Sequence, residues 1–246
     1  TYSKTDHRYK KNSQKIEQDY TSFFNDSSKN INKTDYHRGL SIETIKRFNL
    51  GYVENWRHPE SPNAPFSPRL IIPTSKYSYL ARDTRSNLSI EERKYSKSKV
   101  GKQRIFNSKA LTEACKPIFV VEGELDALSI IDVGGEAIAL GSISNKNLLL
   151  EMFKNYVLPQ PIILALDNDG PGEKASQEIF NGLKELGITT YRVNLTVPYK
   201  DANEFLNADR EAFKAVVERT ENTGLEFEKE ELAKESVSYF LGSFFA

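Results

Sequence analysis

From residue 117 onward, short apolar runs alternate with stretches of helical spacing, and this rhythm constrains the fold more than any other feature of the chain. Ile118-Phe119-Val120-Val121, Ala137-Ile138-Ala139-Leu140, Ile162-Ile163-Leu164-Ala165-Leu166 and Thr190-Tyr191-Arg192-Val193 read as strands. A strand that is apolar at every position, rather than at alternate positions, is buried on both faces. Between them, helices are expected from about Glu124 to Asp132, from Lys146 to Asn155, from Gly172 to Leu186 and over 209–220. Gly134-Gly135 and Gly187 break two of these helices. Strand–helix alternation of this kind predicts a parallel sheet covered by helices on both faces.

The N-terminal half lacks that rhythm. Residues 1–35, rich in Lys, Asn, Ser, Asp and Tyr, read as a polar linker or a marginal helix. Ser41 is placed to cap a helix with Ile42, Ile45 and Phe48 on its apolar face, ended by Gly51. A Pro-rich loop over 59–68 precedes two strands, Leu70-Ile71-Ile72 and Tyr77-Ser78-Tyr79-Leu80. Residues 82–109 are strongly basic, with Arg82, Arg85, Arg93, Lys94, Lys97, Lys99, Lys102, Arg104 and Lys109 against Asp83, Glu91 and Glu92. With few apolar residues, most of that stretch is expected to be exposed loop. Residues 225–246 look helical, and their apolar end (Phe240, Leu241, Phe244, Phe245) calls for a partner, so the chain reads as truncated there.

The formal net charge of zero hides a division. Residues 1–110 hold 22 Lys+Arg against 11 Asp+Glu, and residues 111–246 hold 12 against 23. A basic half attracts polyanions and an acidic half holds cations, or the two simply neutralise each other. The single cysteine, Cys115, excludes an internal disulfide and a multi-cysteine zinc site. No run approaches the roughly 18 apolar residues of a membrane helix, and no export leader is recognisable. A cytoplasmic protein is the default expectation. The first residue is Thr1, not methionine, which reads as a piece of something longer.

Acidic residues fall at the carboxyl ends of the expected strands, where open parallel sheets gather ligands. Glu122 follows the first strand, and Asp126 lies one helical turn later. Asp167 and Asp169 follow the third strand, and Asp201 and Glu204 lie beyond the fourth. Clustered carboxylates repel one another and are costly to desolvate unless a cation sits among them. Oxygen ligands without His or Cys favour Mg²⁺ or Mn²⁺, ions suited to phosphoryl transfer. Each acid alone has a blander reading. Asp169-Gly170-Pro171 can be a turn and helix cap, Glu122 and Asp126 can be first-turn acids favoured by the helix dipole, and Asp201 can cap a short turn over Asn203–Leu206. Six acids converging on one edge of the sheet favour the ion.

These residues resemble a known family. Val121-Glu122-Gly123-Glu124-Leu125-Asp126-Ala127 resembles the first motif of Toprim domains, and Leu166-Asp167-Asn168-Asp169-Gly170-Pro171-Gly172 resembles their Asp-x-Asp motif. Lys200-Asp201-Ala202-Asn203-Glu204-Phe205-Leu206 is similar to the later acidic segment of primases, with Asn203 where a second aspartate is common. Toprim domains serve primases, topoisomerases, recombination proteins and nucleases, so the N-terminal half must choose. Arg38 to Ile45, Phe48 to Tyr52, Arg69-Leu70-Ile71-Ile72-Pro73, Lys94-Tyr95 and Phe106 to Leu111 resemble segments of the catalytic core of bacterial and phage primases.

The resemblance implies an α/β fold: a Toprim domain with a parallel sheet flanked by helices over 112–222, preceded by a smaller basic α/β subdomain over 36–111. A leader over 1–35 and a helical tail over 223–246 would complete the chain. It further implies a DNA primase, a DNA-directed RNA polymerase that makes short RNA primers from NTPs on a single-stranded DNA template. Glu122, Asp167 and Asp169 would be catalytic and would hold Mg²⁺ or Mn²⁺, with Asp126 and Asp201 completing the metal site. Arg69, Arg82, Lys94 and Lys109 would bind nucleotide or nucleic acid. No zinc is expected in this chain, so the zinc-binding module common to such enzymes would be separate or removed. A replicative helicase is an implied partner; a membrane is not. The rival readings are a Toprim nuclease using the same acids and a nucleic-acid-binding module with an inert Toprim fold. A topoisomerase would need a tyrosine-bearing cleavage domain, for which the length leaves little room.

Overall fold

Two four-stranded sheets of opposite construction organise the chain. The structure, a computed structural model, describes residues 18–31, 38–102, 104–155, 158 and 160–224. Helix α1 (Thr21–Ile31) and helix α2 (Ile42–Arg47) lead into the antiparallel sheet, β1 (Gly51–Trp56), β2 (Ser67–Ser75), β3 (Ser78–Asp83) and β4 (Lys97–Val100), ordered β1-β2-β3-β4. Short helices α3 (Ile90–Arg93) and α4 (Ala110–Glu113) flank the last of these strands.

The second sheet follows as β5 (Ile118–Val121), α5 (Glu124–Asp132), β6 (Glu136–Ala139), α6 (Lys146–Phe153), β7 (Ile162–Leu164), α7 (Gly170–Glu185) and β8 (Thr190–Arg192). Helix α8 (Ala202–Ala208) and helix α9 (210–224) follow. All its pairings are parallel, in the order β6-β5-β7-β8. Every residue of β5 and β7 is buried, as their continuous apolar runs require. One core layer holds Phe119, Val121, Leu125, Ala139, Ile163 and Phe213, and the other holds Val120, Ile138, Leu149, Leu164, Ile179 and Leu183. The expected α/β architecture, a parallel sheet between helices preceded by a smaller α/β unit, is therefore present.

The two sheets are not separate bodies. Leu70, Ile72 and Leu80 from the antiparallel sheet join the core layer of Phe119 and Leu125. Its other face, with Ile71, Tyr79, Ala81 and Val100, is covered by Phe24 of α1 and by Trp56. Phe106 stitches the halves by a backbone bridge to Ala139, with N–H donated each way at 2.9 and 3.3 Å.

Several expectations for the N-terminal half need correction. The segment 82–109 is not mostly exposed loop: it contains β4, and Val100, Ile105 and Phe106 are buried. Its lysines alternate along β4 and leave one face of the strand to pack, a period-two signal concealed by the net charge. Gly51 does not end a helix; α2 stops at Arg47, Asn49 turns the chain with φ 49°, and Gly51 opens β1. Ile42 is exposed, not part of an apolar face. Within 1–35, the helix alternative holds for residues 21–31, where Phe24 and Ile31 are buried. Asp201 caps a true helix, α8, in place of a short turn. The readings made for residues 1–17, 32–37 and 225–246 lie outside the described residues.

Candidate active site

The acidic side chains approach one another at the carboxyl end of the parallel sheet. Glu122 immediately follows β5, and Asp126 sits in the first turn of α5. Gly123 makes their approach possible: a Cβ there would lie 2.6 Å from Asp126 Oδ2. Asp167 follows β7, and Asp201 stands at the start of α8. Glu122, Asp126, Asp167 and Asp201 line a cavity of about 290 Å³. The same cavity is lined by Arg82, Lys97 and Lys99 from the antiparallel sheet, and by Lys200 next to Asp201.

The sheet register explains the grouping of Arg82, Lys97 and Lys99. Arg82 pairs with Lys97 and Leu80 with Lys99 across β3 and β4, so these four side chains share a face. Lys99 Nζ donates to the carbonyl of Gly141, and its own carbonyl lies 3.2 Å from His58 Nε2. The N-terminal basic stretch thus reaches across to the acidic edge as an ordered strand.

Electrostatics mark the carboxylates as strained by their surroundings. Burial, reinforced by the charges of Asp201 and Asp167, pushes Asp126 up to about 7, with Arg82 opposing. Burial first, then Asp167, raises Glu122 above the ordinary glutamate range. Burial first, then Asp169, raises Asp167, and Lys97 pulls against both. Asp126 Oδ1 is buried without a hydrogen-bond partner. Unpartnered buried oxygens and mutually repelling carboxylates are what a bound cation would relieve. Among the described residues no three His, Cys, Asp or Glu side chains stand close enough to form a ready-made cage. The donor set therefore fits an ion such as Mg²⁺, which keeps several waters and takes one or two carboxylates plus substrate oxygens.

The remaining candidates are placed differently. Asp169 is outside the cavity lining and caps α7, its Oδ1 accepting from Gly172 N–H at 2.7 Å, yet its charge is felt at Glu122 and Asp167. Asp201 also caps, accepting from Glu204 N–H at 2.8 Å, so the structural role of both residues coexists with their nearness to the site. Arg69 is only 5% exposed; it pairs with Asp83 at 3.5 Å and donates to the carbonyls of Tyr95 and Ser96 at 2.7 and 3.2 Å. It borders a second hollow, of about 400 Å³, with Trp56, Tyr95 and Arg85. Lys94 is exposed and pairs with Glu91 at 2.9 Å, and Lys109 precedes α4; neither lines the acidic cavity.

Lys97 and Lys99 were not singled out by motif resemblance, although the alternation Lys97-Ser98-Lys99-Val100 carried the signal; Lys200 stood inside the acidic segment but was given no role. Arg38 was missed as well. Burial first, then the charge of Arg38, lowers the proton affinity of Arg82, with Asp126, Asp201 and Glu124 opposing.

Comparison with known proteins agrees with this geometry. Residues 119–206 match the family described as Toprim-like. A DNA primase of Mycoplasma genitalium is 27% identical over 158 residues, a match covering 60% of this chain and 26% of that relative. The chain thus spans well under half the length of the primase it matches. The primase fragment of the bacteriophage T7 primase-helicase protein superposes with a TM-score of 0.53 at 22% identity, over 73% of this chain and 71% of that one. The Aquifex aeolicus primase, comprising zinc-binding and RNA polymerase domains, superposes with a TM-score of 0.55 at 20% identity, over 80% and 58%. At such identities the likeness is one of fold. The expected resemblance to the Toprim-containing core of primases is borne out by all three. Among the described residues no helix is long and apolar enough to cross a membrane.

Proposed function

We propose that this chain is the catalytic core of a DNA primase, a nucleotidyltransferase that makes short RNA primers from NTPs on single-stranded DNA. The observation that carries the reading is the single cavity that Glu122, Asp126, Asp167 and Asp201 line together with Arg82, Lys97, Lys99 and Lys200. A triphosphate and a hard cation need both kinds of charge at once. The basic segment 36–111 would supply the cationic groups other than Lys200, and the Toprim segment 112–222 the acids.

In this reading Glu122, Asp167 and Asp169 hold Mg²⁺ or Mn²⁺, with Asp126 and Asp201 completing the acidic set. The ion, when bound, would supply positive charge at the reacting phosphate and lower the proton affinity of the attacking hydroxyl. Arg82, Lys97, Lys99 and Lys200 orient the triphosphate and neutralise its charge. The 3′-hydroxyl oxygen of the growing primer, or of the first nucleotide, bonds to the α-phosphorus; the bond to the β-phosphate oxygen breaks, pyrophosphate leaves and the hydroxyl proton is released. Lys94 and Lys109, outside the cavity, meet template phosphates. Arg69 contributes from within the sheet by holding the segment that leads into β4. A zinc-binding module, separate or removed, and a replicative helicase are the proposed partners, and the cytoplasm is the proposed compartment.

Primer synthesis from NTPs on single-stranded DNA, with Mg²⁺ or Mn²⁺, tests the proposal directly. RNA products that require both the template and the ion are expected. Metal-dependent cutting of plasmid DNA with no requirement for NTPs would instead assign the same acids to a nuclease. Template binding that persists without synthesis, and survives loss of the acids, would leave a binding module with an inert Toprim fold.

A further inference from the structure

Arg38 and Gly39 carry consecutive left-handed backbones, with φ of 59° and 75°. An arginine adopts that conformation at a cost, which persists only where the surroundings over-determine it. Here the surroundings come from the far end of the chain. Asn203 Nδ2 and Asn207 Nδ2 both donate to the carbonyl of Arg38, each at 3.0 Å. Arg210 Nη2 donates to the carbonyl of Gly39 at 2.5 Å, while its Nη1 holds the fully buried Asp132 at 2.6 Å. Asp132 in turn accepts from Ser41 N–H at 2.8 Å and Ser41 Oγ at 2.6 Å. A Cβ at Gly39 would fall 2.4 Å from Asn207 Oδ1, so the turn and the clamp fit without slack.

Asn203 is the centre of this arrangement. It is 7% exposed, and its Nδ2 also lies 3.1 Å from Ser129 Oγ, whose hydroxyl donates to Leu125. The amide nitrogen is thus committed to the turn that carries Arg38 and to Ser129, while the residue also lines the acidic cavity. An aspartate at 203 has no N–H to give. Its carboxylate would face the Arg38 carbonyl and add a negative charge beside Asp126.

We infer that Asn203, assisted by Asn207, is a positioning residue whose amide nitrogen holds the turn carrying Arg38 against the cavity that Asn203 and Arg82 line, and is not an outer contact of a bound ion. The inference rests on the nucleotidyl-transfer reading, in which the Arg38 and Arg82 guanidinium groups meet phosphate.

The test compares Asn203→Ala, Asn203→Asp, Asn207→Ala and Arg38→Ala, alone and combined, by calorimetric titration with ATP in Mg²⁺ and by titration with Mn²⁺ alone. Asn203→Ala and Asn203→Asp are expected to weaken ATP binding about tenfold, the effect of losing one hydrogen bond that holds a charged group. Asn207→Ala should move in the same direction, and Mn²⁺ affinity of Asn203→Ala should stay within about twofold of wild type. In an Arg38→Ala background, removing Asn203 should cost ATP binding nothing further. An outer ion contact would give the reverse pattern: weaker Mn²⁺ binding in Asn203→Ala, recovered or exceeded in Asn203→Asp. That pattern, or additive losses in the double variant, overturns the inference. Amide hydrogen exchange at residues 39–41 reads the clamp without any nucleotide, and unchanged protection in Asn203→Ala also overturns it. A wild-type chain that binds no ATP sinks the polymerase reading instead.

Discussion

The four parallel strands hold little charge and export it to their carboxyl ends, where Glu122 and Asp167 begin the loops; the four antiparallel strands keep theirs within the sheet. Arg69 and Asp83 pair inside it at 6% and 1% side-chain exposure, and Arg82, Lys97 and Lys99 line one of its faces. The difference is one of connectivity. A parallel strand must be covered on both sides by its crossover helices, so charge survives only where the strand stops. An antiparallel strand can leave one face open, so charge can run along its length. The cavity forms where the two habits meet: the carboxylates and Lys200 come from the parallel half, and Arg82, Lys97 and Lys99 from the antiparallel one.

That contrast can be broken experimentally, and the largest effect belongs to the acids. Asp167→Asn should reduce primer synthesis by at least about a thousandfold, since the electrostatic contribution at such sites is several kcal/mol. The same substitution should leave the metal-free melting temperature unchanged or raised, because Asp167 is held above the ordinary range by burial and by Asp169. A variant that lost activity and stability together would show the carboxylate to be part of the scaffold.

The internal pair of the antiparallel sheet should behave in the opposite way. Asp83→Ala leaves the Arg69 guanidinium buried without its carboxylate, and should cost about 3 kcal/mol in urea denaturation. Arg85 also loses a partner, but it is more exposed and keeps Glu92 at 2.8 Å. Adding Arg69→Met should recover part of the loss; no recovery would mean that the pair is not what holds this region.

A third measurement sharpens the comparison through pH. The folded-state value for Asp126, about 7, lies above the roughly 3.9 of an unfolded aspartate. Its contribution to stability is therefore complete below about pH 4 and lost as pH rises through about 7, an effect on the order of 4 kcal/mol. Metal-free melting should fall across that window, and added Mg²⁺ should flatten the fall, because the ion competes with the proton. Melting that rose with pH in this range would remove the electrostatic case for a cation site. The smallest effect is expected at Lys94, exposed and paired only within its own helical turn. Lys94→Ala should not change melting measurably, and should lower the salt dependence of single-stranded DNA binding by about one unit of slope.

The parallel half was readable because its physics is local. Ile118–Val121 and Ile162–Leu164 are strands for reasons visible in four or three consecutive residues, and the expected helix over Glu124–Asp132 is found with those bounds. The antiparallel half was not. β1 runs from Gly51 to Trp56 with mixed polarity, and β4 hides behind its lysines; both are strands because β2 and β3 offer them partners. Motif resemblance pointed to Lys94 and Lys109 in the basic region, whereas the register puts Lys97 and Lys99 in the cavity. Arg38 could not have been placed from its neighbours at all, since the groups that hold its turn lie more than 160 residues further along the chain.

Taken alone, the order of residues determined which side chains stand at the ends of the parallel strands, because a strand's length and the loop after it are set by a few adjacent residues. It also determined that oxygen donors, not thiolates or imidazoles, are available there. Only the tertiary structure decided which cations share a cavity with those carboxylates, which acids double as helix caps, and that the Asn203 amide nitrogen is bonded to the Arg38 carbonyl. Those outcomes depend on sheet register and on contacts between distant segments, and such contacts are chosen by packing that no local stretch of sequence contains.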